Sequence, residues 1–125
     1  MKEVLIKKSQ APVSPPIRAR YCQSFLCRLR GLTFRKHLDR EEGLLLVFKR
    51  ESRLDTAIHM LGVNMNLAVF WLDREQKIVD RRLARKWHPF YIPKAPACYV
   101  LELAADRLDD FILGETLQFE EISSR

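Results

Sequence analysis

Two arginines, Arg30 and Arg35, sit either side of the stretch Gly31-Leu32-Thr33-Phe34. Guanidinium groups carried on a turn can clamp a carboxylate or a phosphate through paired N–H donors. The plainer role is an ion pair with Glu42 or Glu102 that ties a helix end to a sheet, and the sequence favours that role. His59 beside Met60 suggests a general base or a copper ligand pair. Neighbours on a strand point to opposite faces, so the two cannot share one ion without a bulge. Met60 therefore reads as core filler, and His59 as a structural hydrogen-bonder or a pocket member. Arg30, Arg35, His59 and Glu102 form the candidate ligand-binding set, with no catalytic residue, metal or cofactor assigned.

A second group is Arg81, Arg82, Arg85 and Lys86, followed by Trp87, Phe90 and Tyr91. Cations interleaved with aromatics have the make-up of a nucleic-acid patch. Charge alone gives only salt-sensitive, non-specific binding, so the group is read as a candidate surface for a protein partner, for self-association or for nucleic acid. No Ser-His-Asp or Cys-His order with a supporting context is present, and the four glycines are not clustered as a phosphate loop requires. Cys22, Cys27 and Cys98 are an odd number, which argues against a disulfide framework and for buried or idle thiols in a reducing compartment.

These side chains need a scaffold. At 125 residues the chain is one domain by length, and 47% hydrophobic residues suffice for a core. No stretch approaches the ~20 apolar residues of a spanning helix. MKEVLIKK is too short in its apolar centre for a signal peptide, so a cytoplasmic location is expected. The net charge of +6 is uneven: residues 101–125 hold seven acids against two arginines, and the remainder is strongly basic. Such a body suits an anionic partner or another copy of itself.

The organising stretch is Leu67 to Leu72, six apolar residues ended by Asp73, which reads as a strand buried on both faces. Leu44 to Phe48 has the same character and is expected to lie beside it. Val4–Ile6 suggests a first strand at an edge, and Pro12, Pro15 and Pro16 an extended connector. Apolar spacing predicts a helix over 20–31 with Tyr21, Phe25, Leu29 and Leu32 on one face and Gly31 as its stop. Asp39–Glu42 has the spacing of a capped turn. Leu54 to Met60 alternates like a strand, Lys77–Asp80 pairs back on the central strand as a hairpin, and 81–97, with three prolines, reads as a long loop or edge. Cys98–Leu103 and Leu117–Glu120 are further strands, 104–111 a second short helix, and the chain frays after Ile122. The sum is a mainly β protein, a sandwich or partly open barrel with two short helices: residues 1–18 as strand and connector, 19–122 as one β-rich domain.

Several pieces together resemble the family called domain of unknown function 192. Arg30-Gly31-Leu32-Thr33-Phe34-Arg35 is similar to its Arg-Gly-Leu-Met-x-Arg signature, and Glu42 to Phe48 to its Glu-Gly-Met-Leu-Phe-Val-Phe run. Ile58-His59-Met60 and Leu67 to Asp73 match its central part, Ala97 to Leu103 its Ala-Arg-Tyr-Val-Leu-Glu-Leu, and Gly114-Glu115 its Gly-Asp. The pieces recur in order over roughly residues 19–119. Leu61-Gly62-Val63 departs from the Lys-Asn-Thr usual there. The resemblance implies a compact β-rich domain and no established catalytic residues. Function is accordingly read as a non-enzymatic binding or protein-interaction module for an anionic ligand or partner. The alternatives are an enzyme whose pocket uses Arg30, Arg35, His59 and Glu102, or a nucleic-acid binder through Arg81 to Tyr91.

Overall fold

The apolar runs become the middle of one sheet. The structure, a computed structural model, describes residues 2–9, 11, 13–33 and 35–122. The side chains of Phe25, Leu26 and Leu29, Pro12 of the connector and the residues beyond Ile122 lie outside what is described, and with them the packing expected of Phe25 and Leu29 and the expected fraying. In chain order the elements are β1 (Glu3–Lys8), β2 (Ile17–Cys22), the helix α1 (Phe25–Arg30), β3 (Glu42–Ser52), β4 (Leu67–Leu72), β5 (Ile78–Ala84), β6 (Ala97–Ala104), a 3₁₀ turn (Ala105–Asp110) and β7 (Leu117–Ile122). They form one seven-stranded sheet in the order β5-β4-β6-β3-β2-β1-β7. All pairings are antiparallel except β2 with β3, which α1 and the following loop connect as a crossover.

Six consecutive apolar residues let β4 bury both faces. Leu67, Val69 and Trp71 enter one cluster with Leu44, Leu46 and Val100; Ala68, Phe70 and Leu72 enter the other with Leu45, Val47, Leu101 and Leu103. The second cluster takes residues from every strand and is the inside of the coiled sheet, plugged by Phe111, whose ring meets Phe70 edge-on at 5.3 Å. The edges β5 and β7 touch at one end only, through the Lys77–Thr116 bridge and the bond from Ile78 N–H to Glu115 O. The sheet is not closed into a barrel. The first cluster is the outer face, roofed by the loops around Leu32 and Leu38, by Ile58–Val63 and by Tyr91.

The sheet corrects several expectations. β3 and β4 are not neighbours: β6, equally apolar, lies between them and pairs with both. β1 is interior rather than an edge, held by β2 on one side and β7 on the other. The helix expected over 20–31 shrinks to the six residues of α1, because Ile17–Cys22 pairs with β1 and β3, and sheet bonding outweighs a weak helical spacing. Ser24 caps α1 by accepting from Cys27 N–H. The second expected helix exists only as the 3₁₀ turn. Residues 54–60 are not a strand but a turn and a single bridge, Ile58 with Tyr91. β5 extends to Ala84, so the long loop begins four residues later than its composition suggested. The capped turn is present: Glu42 N–H donates to Asp39 O, and Glu42 Oε1 accepts from Asp39 N–H.

Cys22 and Cys27 form a disulfide, contrary to the expectation of idle thiols. A continuous helix would have kept the two apart. The strand end and the Ser24 turn bring their Cα atoms to 5.6 Å. Only Cys98 remains a buried thiol, and the cysteine argument for a reducing compartment loses its footing. No helix among the described residues is long and apolar enough to cross a membrane.

Candidate ligand-binding pocket

Glu102 lies in the middle of β6, where Leu44 of β3 is its partner on one side and Val69 of β4 on the other. Strand alternation puts its side chain on the outer face with Val100, and it is 5% exposed. Its carboxylate makes no hydrogen bond or ion pair among the described residues, and burial lifts its pKa from the ordinary 4.5 to about 7. An acid among aliphatic neighbours in a sheet costs stability unless something compensates it.

Above it is a cavity of about 500 Å³. The sheet supplies Leu46, Phe48, Lys49, Arg50, Leu67 and Glu102; the end of α1 and its turn supply Arg28, Arg30, Gly31, Leu32 and Thr33; Asp55, Ala57, Ile58, His59, Met60 and Val63 supply the facing wall. That wall is irregular yet well fastened. Trp71 Nε1 donates to Thr56 O at 2.7 Å, and Ile58 and Tyr91 exchange both backbone bonds. His59 lines the cavity, its Nδ1 buried without a hydrogen-bond partner among the described residues. Arg28 is braced: its Nη1 donates to Gln23 O and Val47 O, and its guanidinium lies 4.8 Å over the Phe48 ring. Arg28, Arg30, Lys49 and Arg50 make the lining strongly cationic, against Asp55 and Glu102.

Of the four residues singled out from sequence, Arg30, His59 and Glu102 line this one cavity. Arg35 does not; it pairs with Glu42 at 3.3 Å, the fastening role weighed for it. Arg28, Lys49 and Arg50 were overlooked. A helix running over 20–31 gives no sign that Arg28 reaches a cavity, and Lys49 and Arg50 reach it because β3 runs on to Ser52. His59 and Met60 both line the cavity, Met60 from a buried position. No group of three His, Cys, Asp or Glu suited to a metal occurs among the described residues.

The second candidate surface divides. Arg81 donates to Leu108 O and Asp109, Arg82 lies 3.9 Å from Asp80, and Tyr91 is buried with its hydroxyl accepting from Arg85 N–H. Trp87 and Phe90 are exposed.

Residues 5–119 match the model of a family described as uncharacterized ACR, domain of unknown function 192. The chain belongs to this family. A UPF0127 protein of Thermococcus sibiricus is 31% identical over 119 residues, 94% of this chain and 75% of the relative. One of Thermococcus kodakarensis is 34% identical over 85 residues, 68% of this chain and 52% of the relative, so the chain spans about half the length of that protein. The fold recurs in a solved structure from Sinorhizobium meliloti, with a TM-score of 0.81 at 17% identity over 94% of this chain and 92% of that one. It recurs also in a protein of unknown function from Novosphingobium aromaticivorans, with a TM-score of 0.76 at 17% identity over 93% and 83%. At such identity the likeness speaks for the fold alone. Within domain of unknown function 192, this chain is a β-rich member.

Proposed function

We propose that the cavity binds a small organic anion with an apolar body, and that the protein is a binding module. One observation carries the reading: Glu102 is a buried carboxyl with no partner among the described residues, facing a cavity of ligand size whose other charged groups are mostly cations. Arg28 and Arg30 are suited to a carboxylate or phosphate, Phe48, Leu46 and Met60 to the apolar body, and Glu102 with His59 to a hydroxyl or amide. The test is a thermal-shift screen of hydroxylated carboxylates and phosphate monoesters. A ligand at about a hundred times its Kd adds about 2.7 kcal/mol of stability. That gain should vanish in Ala57→Phe, which fills the cavity. No shift across the panel, or an equal shift in the filled variant, contradicts the reading.

A second reading treats Glu102 as a general acid or base, because a carboxyl titrating at about 7 is matched to proton transfer near neutral pH. It requires turnover of a bound ligand, lost in Glu102→Gln while binding persists.

A further inference from the structure

A different part of the molecule carries an independent inference. The segment after β5 presents Trp87 at 56%, Phe90 at 66% and Ile92 at 40% exposure, with Leu61 beside it at 48%. Phe90 and Ile92 flank the buried Tyr91, whose bridge to Ile58 turns both of them to the opposite side. Between Asp80 and Glu102 the chain has five arginines and lysines and no acid. Arg85, Lys86 and Lys94 are exposed within or beside the apolar side chains.

This apron is held in place. Trp87 N–H donates to Met60 O, Met60 N–H to His88 O, Lys86 N–H to Asn66 Oδ1, and Trp87 Nε1 to Asn64 Oδ1. Trp87 has φ of +64°, a conformation that bulky side chains rarely adopt. A backbone kept there by a lattice of bonds, with its indole turned to water, is built to present that indole.

We infer that this apron docks the protein on an anionic lipid surface. Aromatic rings flanked by cations suit the headgroup region of a bilayer, where rings and aliphatic tips enter the acyl boundary and ammonium and guanidinium groups meet phosphates. Leu61 and Ile92 favour lipid over nucleic acid, because aliphatic side chains offer bases nothing to stack on. Arg81 and Arg82, which a nucleic-acid groove would use, are engaged by Asp109 and Asp80. The contact is peripheral and needs no spanning segment.

The two tryptophans make the test direct, since Trp71 is fully buried and Trp87 exposed. The full chain is mixed with vesicles of equal parts phosphatidylglycerol and phosphatidylcholine, with pure phosphatidylcholine vesicles, and with a single-stranded oligonucleotide. The expected result is sedimentation with the anionic vesicles, a blue shift of Trp87 emission and its quenching by brominated acyl chains. Affinity should be roughly tenfold or more weaker for neutral vesicles, for Trp87→Ala with Phe90→Ala, and for Arg85→Glu with Lys86→Glu. Sedimentation without acyl-chain quenching, no sedimentation, or tighter binding to the oligonucleotide would each overturn the inference. The quenching experiment uses the unaltered chain, so it stands whether or not a variant folds.

Discussion

Gly31 lies against Glu102 in the cavity lining: a Cβ placed on Gly31 would stand 4.0 Å from Glu102 Oε1. Gly31 ends α1 with φ of +52° and ψ of −127°, a backbone that other residues avoid, and its N–H returns to Cys27 O. Gly31→Ala should cost about 1–3 kcal/mol of stability, measured by urea unfolding, chiefly through backbone strain. It should also weaken any cavity ligand, because Arg30 is carried on the same turn.

Glu102 makes stability pH-dependent. Its folded pKa is raised to about 7 from 4.5, so the folded state holds the proton more tightly than the unfolded one. Stability from this group is greatest at and below pH 4.5, falls as pH rises to about 7 and is flat above that. The fall is on the order of 3 kcal/mol. Glu102→Gln should remove that slope and leave the protein more stable than the parent at pH 8, as denaturation across pH would show.

The disulfide Cys22–Cys27 ties the end of β2 to the first turn of α1, the helix that carries Arg28 and Arg30. So short a loop contributes about 2 kcal/mol by chain entropy. Reduction by dithiothreitol should lower the Tm by several degrees and weaken cavity binding as well. Cys27→Ser should behave alike, with no further response to reductant.

Arg107 is a buried staple. Its Nε donates to Asp110 at 2.7 Å and its Nη1 to Pro15 O and Arg40 O, joining the 3₁₀ turn, the segment before β2 and the loop before β3. Arg107→Met leaves two carbonyls and a carboxylate unmatched and should cost about 3–5 kcal/mol in chemical denaturation. Arg107→Lys should rescue little, because an ammonium cannot span the planar fork's partners.

Strand positions were legible where apolar runs left no choice of face. Leu67–Leu72 is β4 to the residue, and Cys98–Leu103 falls within β6. Neighbours were not legible: nothing in Leu44–Phe48 or Leu67–Leu72 says that β6 intervenes, because strand order is set by connections and by what each edge must cover. Tyr21 and Cys22 looked helical from spacing, but β1 and β3 claim their backbone. His59 stands out in the sequence beside Met60, and Glu102 as an ion-pair partner for Arg30 or Arg35. Their convergence depends on an irregular wall, Asp55–Val63, whose alternating pattern imitates a strand. Nothing in the sequence marks Arg107 as a buried staple, because two of its partners are the backbone carbonyls of Pro15 and Arg40, which leave no mark on sequence.

The most direct measurement is the titration of the Glu102 side-chain carboxyl by carbon-13 NMR on the intact chain. A midpoint near 7 agrees with a buried carboxyl that has no partner among the described residues. A midpoint at or below the ordinary 4.5 would mean that the group is solvated or already satisfied by the protein, and would contradict it.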